Sequence, residues 1–150
     1  SFLESFSFKS KDVMLVYSHG GLNAAPVETA AYAKDRGLSV VAVTSLENHR
    51  KAVATHSSGK KLGDLADVFI DNCVPLEDAM VYLDGQPEPV GAGSTLAVTA
   101  ITMSLVVEVA RYLQERQYKL FTFVSPNVTE VNADHNTMVF QEYAKAVRRH

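Results

Sequence analysis

The chain of 150 residues holds a single cysteine, Cys73, so no internal disulfide can form. With one thiol and no signal-like leader, the expected setting is intracellular and cytoplasmic. Cys73 follows Val68-Phe69-Ile70-Asp71-Asn72 at a strand end and is expected as a small core residue. Long runs of one charge are also missing. The formal net charge of −3 comes from 14 basic and 17 acidic residues without a block of either sign, so neither nucleic acid nor a membrane surface is expected as partner. Internal repeats, linkers and low-complexity stretches are absent. A hydrophobic fraction of 47% is that of a globular chain, and one domain over 1–150 is expected.

Several catalytic motifs are absent as well. His19-Gly20-Gly21 resembles an esterase oxyanion stretch, but no Gly-x-Ser-x-Gly supplies a nucleophile. Gly59-Lys60 is followed by Lys61 instead of Ser or Thr, and Ala54 stands where a P-loop needs glycine. No Gly-x-Gly-x-x-Gly fingerprint exists, and the five histidines lack metal-ligand spacing. The expectation is therefore no cofactor and no metal.

Charge is also missing between Glu88 and Glu108. That stretch is long enough to span a membrane, yet it carries Pro89, Gly91, Gly93, Ser94, Thr95, Thr99, Thr102 and Ser104. It reads as a buried or interface helix instead.

What is present is an alternation of strands and helices. Val13 to Tyr17 and Ser39 to Thr44 are continuous apolar runs, as in strands covered on both faces. Between them, Val27 to Arg36 has helical composition, and Gly37 terminates it. Ser58 to Ala66 reads as a short helix capped by Ser58, and Asp67 to Asp71 as a third strand. A short strand at Val81 to Leu83, a turn from Asp84 to Pro89 and a long helix from Thr95 to Arg116 follow. Leu120 to Ser125 is expected as a last strand and 137–149 as a final helix. This order predicts an α/β fold with a mainly parallel sheet and ligands at the carboxyl ends of its strands.

Three polar clusters fall at that rim. The first is Ser18-His19-Gly20-Gly21-Leu22-Asn23, between the first strand and a helix whose first turn accommodates Pro26. Free amides at such a helix start form an anion site, and glycines let the backbone come close to a ligand. The competing reading is a tight turn in which Asn23 caps the helix. Glu28 in the first helical turn either satisfies the same dipole or acts as an acid or base. The second cluster is Thr44-Ser45 with Thr55-His56-Ser57-Ser58-Gly59-Lys60-Lys61, the lysines being expected in solvent. The third is Gly91-Ala92-Gly93-Ser94-Thr95, where helix capping is the plainer explanation.

Together these residues resemble the sugar isomerase (SIS) domain family. Ser18 to Asn23 with Pro26-Val27-Glu28 is similar to its phosphosugar loop, most closely in a bacterial subgroup of uncharacterised SIS proteins, where the loop reads Ser-Asn-Ser-Gly-Arg-Asn. The likeness continues through Thr44-Ser45, His56 to Leu62, Asp71-Asn72-Cys73, Ser94-Thr95, Ser125-Pro126-Asn127 and His135-Asn136. It implies a three-layer α/β/α sandwich, a phosphorylated-sugar ligand and a homo-oligomer with interface sites. It further implies Ser18, His19, Gly20, Gly21, Asn23, Ser45, Ser57, Ser58, Ser94 and Thr95 as binding residues. A helix and a strand are implied upstream of Ser1. Isomerases of the family often take a glutamate from that upstream part, so the catalytic base stays open among Glu28, His56 and His135. Two departures stand out: Gly20 replaces a serine, and Leu22 replaces an arginine.

Overall fold

The computed structural model describes residues 2–128 and 132–148, with side chains to 145 in the last helix. Strands β1 (Val13–Tyr17), β2 (Ser39–Thr44) and β3 (Val68–Asp71) pair in parallel in the order β1-β2-β3. The register sets Tyr17 beside Val43 and Thr44 beside Asp71, so the strands end on one rim. Side chains alternate across the sheet. Met14, Val16, Val40 and Ala42 face one side, where Ala30, Ala33, Leu38 and Leu62 complete the core. Each fully buried Val or Leu of this set stabilises by about 1.5–3 kcal/mol.

Helix α1 (Ala24–Asp35) packs on that side and buries Val27, Ala30 and Ala33. Its end is set by chain chemistry. Gly37 adopts φ +76, its amide bonds Lys34 O (3.0 Å), and the Leu38 amide bonds Ala33 O (3.0 Å). This paired closure needs a left-handed residue, which glycine supplies without strain. Two short helices follow, α2 (Leu46–Lys51) and α3 (Leu62–Leu65). Strands β4 (Ala79–Val81) and β5 (Val90–Ala92) form a separate antiparallel pair that leads into α4 (Gly93–Glu115). On the sheet face opposite α1, Tyr17 Oη lies 2.9 Å from Thr102 Oγ1 of α4. The fold is thus mixed α/β around a parallel three-stranded sheet, as expected.

The chain divides into two compact units, Ser1–Met103 and Ser104–His150, with the division inside α4. The second unit contains the end of α4, the coil 118–125 and α5 (His135–Arg148). No described residue of α4 is buried. Leu96 is 77% and Val107 63% exposed. The helix has the length and apolar composition to cross a membrane.

Several expectations need correction. Leu120 to Ser125 is coil. Its backbone bonds go to side chains of α5: Asn136 accepts from the Val124 amide (3.0 Å) and donates to Val124 O (2.9 Å), while His135 Nε2 bonds Thr122 O (2.9 Å). The expected strand at Val81 to Leu83 runs from Ala79 to Val81. The expected helix from Ser58 shrinks to one turn, because Gly59 takes φ +70 and breaks it. The last helix begins two residues earlier than expected, and its expected end at 149 lies outside the described residues. Cys73 is exposed, with φ +57, not a core residue. Lys61 is not left to solvent: its ammonium bonds His49 O and Ala52 O at the end of α2.

Candidate functional site

The loop after β1 is held in place by its own backbone and by β2. The Ser18 amide bonds Val43 O (3.1 Å), and His19 O accepts from the Ser45 amide (3.0 Å) and from Thr44 Oγ1 (3.0 Å). Gly21 sits at φ +63, and a methyl group there would lie 3.0 Å from Thr44 Oγ1. Its amide donates to Ser18 Oγ (3.1 Å), and its carbonyl accepts from the Leu62 amide (2.8 Å). Ser18 spends an acceptor lone pair in that turn and keeps its hydroxyl hydrogen.

Asn23 occupies the N-cap position with φ −67 and ψ 153, yet its side chain makes no capping bond. The simple capping explanation therefore fails. Ala24 and Ala25 are exposed, and amides of a first turn have no intrahelical partner. Pro26 brings none. Glu28 does not cover these amides, because its Oε1 lies toward His56 Nε2 at 3.7 Å.

His19 turns its ring inward. Nε2 lies 3.1 Å from Asn48 Nδ2 and 3.4 Å from Leu76 O, and Nδ1 lies 3.4 Å from Asn72 Nδ2. Both carboxamides are oriented by second bonds: Asn48 Nδ2 donates to Leu76 O (3.2 Å), and Asn72 Oδ1 accepts from the Val74 amide (3.0 Å). Asn48 and Asn72 are buried, and neither was anticipated as part of the site. Ser45 is fully buried. It donates to Val74 O (2.7 Å) and caps α2 by accepting from the Asn48 amide (3.3 Å), which leaves no hydrogen for a ligand. Glu47 accepts from the Leu76 amide (2.9 Å). Its bond to Lys51, and next the Leu76 amide, hold its carboxyl below the usual range.

The second cluster reaches the first through Thr55 Oγ1, which donates to Leu22 O (3.0 Å). His56 Nδ1 is 2.8 Å from Ser58 Oγ. Glu28, His56 and Ser58 line a groove of about 470 Å³ beside α1. Ser57 is exposed nearby in sequence.

Ser94 and Thr95 stand at the start of α4, where Asp78 already occupies the helix end. Its Oδ1 accepts from the Ser94 amide and its Oδ2 from the Ser94 hydroxyl, both at 2.7 Å. Burial acts to raise the Asp78 pKa, but the two Ser94 bonds and the nearby His19 outweigh it and hold the carboxyl below its ordinary value. Thr95 is exposed, its carbonyl accepting from Thr99 Oγ1. His135 belongs to the second unit, where it and Asn136 line a separate pocket of about 270 Å³. Among the described residues no group of His, Cys, Asp and Glu could hold a metal ion.

Comparison with known proteins agrees with this architecture. The SIS domain model matches residues 1–45, which contain β1, the loop, α1 and β2. A UPF0309 protein of Caldanaerobacter subterraneus subsp. tengcongensis is 36% identical over 97% of this chain and 59% of its own length. A UPF0309 protein of Halalkalibacterium halodurans is 33% identical over 97% of this chain and 60% of its own. For one from Streptomyces coelicolor the figures are 30%, 97% and 57%. The chain thus spans somewhat under two thirds of the length of these relatives. The likeness expected from the loop is found: residues 1–45 are similar to the SIS domain, and nearly the whole chain is similar to the bacterial UPF0309 proteins.

Proposed function

We propose that the protein binds a phosphorylated sugar or sugar derivative, with the phosphate at the loop Ser18 to Asn23. The observation that carries this reading is the uncapped start of α1 beside a hydroxyl with a free hydrogen, in the segment that matches the SIS domain. A dianion there would receive the amides of Ala24 and Ala25, the Ser18 hydroxyl and the positive end of the helix dipole. Gly21 allows the close approach. Thermal unfolding in the presence of a panel of hexose and heptose phosphates tests it. The melting temperature is expected to rise with at least one of them and to rise less in Ser18→Ala. No shift with any of them at millimolar concentration removes the proposal.

A second reading, an aldose–ketose isomerase, is favoured by the placement of Glu28 beside His56. Moving a proton between adjacent carbons needs a positioned acid–base group. It expects slow interconversion of hexose phosphates, abolished in Glu28→Gln. Turnover undiminished in that variant excludes Glu28 as the base.

A further inference from the structure

The groove beside α1 has a chemistry of its own. Its volume of about 470 Å³ lies in the range of small-molecule sites. Val27, Ala31, Leu65 and Ala66 give it an apolar wall, Glu28, His56 and Ser58 add polar groups, and Lys34, Asp35, Lys60 and Asp64 add charges of both signs.

The proton inventory around His56 follows from the turn that carries it. Nδ1 lies 3.2 Å from the Ser58 amide nitrogen and 2.8 Å from Ser58 Oγ. An amide N–H can only donate, so Nδ1 is the acceptor and the proton of the neutral ring sits on Nε2. Nε2 faces Glu28 Oε1 at 3.7 Å, too far for a good hydrogen bond. A donor and an acceptor therefore stand side by side with their mutual bond unmade. The imidazole side chain is only 16% exposed, whereas that of Glu28 is 69% exposed. The donor is held in place and the acceptor is reachable.

We propose that Glu28 and His56 read a hydroxyl of the sugar portion of the ligand. The hydroxyl donates to the Glu28 carboxylate and accepts from His56 Nε2–H, while ring carbons lie on Ala31 and Leu65. This rests on the phosphate being bound at the loop. Ala24 and Glu28 are about one helical turn apart, roughly 5–6 Å along the axis. A phosphate on the Ala24 amide thus brings the carbons attached to it beside Glu28. The Thr55 bond to Leu22 O fixes the strap bearing His56 against the same loop.

Titration calorimetry with inorganic phosphate and with glucose 6-phosphate separates the two levels. Glucose 6-phosphate is expected to bind about tenfold tighter than phosphate. Glu28→Gln and His56→Ala each erase most of that advantage and leave phosphate affinity unchanged. His56→Gln, which keeps an N–H near the Nε2 position, retains part of it. In the ligand-free protein, ¹⁵N shifts of His56 at neutral pH are expected to report the Nε2–H tautomer. Equal affinity for the two ligands, an undiminished advantage in both variants, or an Nδ1–H tautomer overturns the hydroxyl-reading pair while leaving the loop as a phosphate site. Absence of binding by either ligand overturns the loop reading and this inference with it.

Discussion

Asp78 and Ser94 form a two-point clasp, with both carboxylate oxygens 2.7 Å from the serine amide and hydroxyl. The start of α4 therefore already holds an anion supplied by the chain, whereas the start of α1 holds none. Two helix starts that look alike in sequence, each preceded by glycines and hydroxyls, differ by this one carboxylate.

Removing the clasp tests its weight. Asp78→Ala is expected to lower stability by about 1 kcal/mol, the usual loss when a helix cap is deleted. Urea unfolding measures it. The pH dependence has a definite sign. The folded pKa of Asp78 lies below its unfolded value, near 3.8, so its contribution is complete above that pH. It is lost as pH falls through the lower folded pKa. Asp67 behaves in the same sense through Lys34 and the Val40 amide. A variant whose stability falls with acidification as steeply as the wild type contradicts the role given to Asp78.

The two loop glycines are expected to respond in opposite ways. Gly21→Ala forces a side chain to φ +63 and places its methyl 3.0 Å from Thr44 Oγ1. A loss of about 1–3 kcal/mol follows from the strain. At Gly20 an added Cβ meets nothing closer than Leu22 Cγ at 3.8 Å. Gly20→Ser should leave stability within about 0.5 kcal/mol. The added hydroxyl should tighten binding of a phosphosugar about tenfold, the worth of one charge-assisted hydrogen bond. Denaturation and calorimetry on the pair of variants check both statements.

Ser45→Ala should weaken the fold. It strips a buried carbonyl, Val74 O, of its donor and leaves the Asn48 amide uncapped. The expected cost is about 1–3 kcal/mol, read from the urea midpoint at unchanged slope. A change below about 0.5 kcal/mol would mean that water replaces the hydroxyl without penalty.

The outer face of α4 offers a fourth test. Leu96 is 77% and Met103 54% exposed on a helix with no buried described residue, and apolar helices of this kind are normally covered. The expected homo-oligomer would use this face. Leu96→Glu combined with Met103→Glu should then give a smaller particle in light scattering. An unchanged molar mass places the contact between copies elsewhere.

Much of the architecture could be read from residues alone. Val13 to Tyr17 and Ser39 to Thr44 form strands where expected, although only β2 is largely covered and edge strand β1 buries Val16 alone, and Gly37 ends α1 where expected. Helix α2 was missed although its signals were present. Ser45 caps it, Glu47 lies in its first turn, and His49, Arg50 and Lys51 lie in its last. At six residues it is too short for apolar periodicity to register. The glycine-broken turn at 56–59 and the side-chain pairing of Leu120 to Ser125 depend on backbone conformation and distant partners. Local spacing placed the loop between β1 and α1. It could not foresee that Asn48 and Asn72 flank the His19 ring, or that Asp78 answers Ser94, because those partners lie 16 to 53 positions apart.

Leu76 and Asp78 are two residues apart, and each is tied to a different helix entrance. The Leu76 carbonyl meets the ring behind the β1–α1 loop, while Asp78 anchors the first residues of α4. This strip of backbone works as a tie-rod between the two entrances. The ring of the β1–α1 loop and the first amide of the long helix thus answer to backbone only two positions apart.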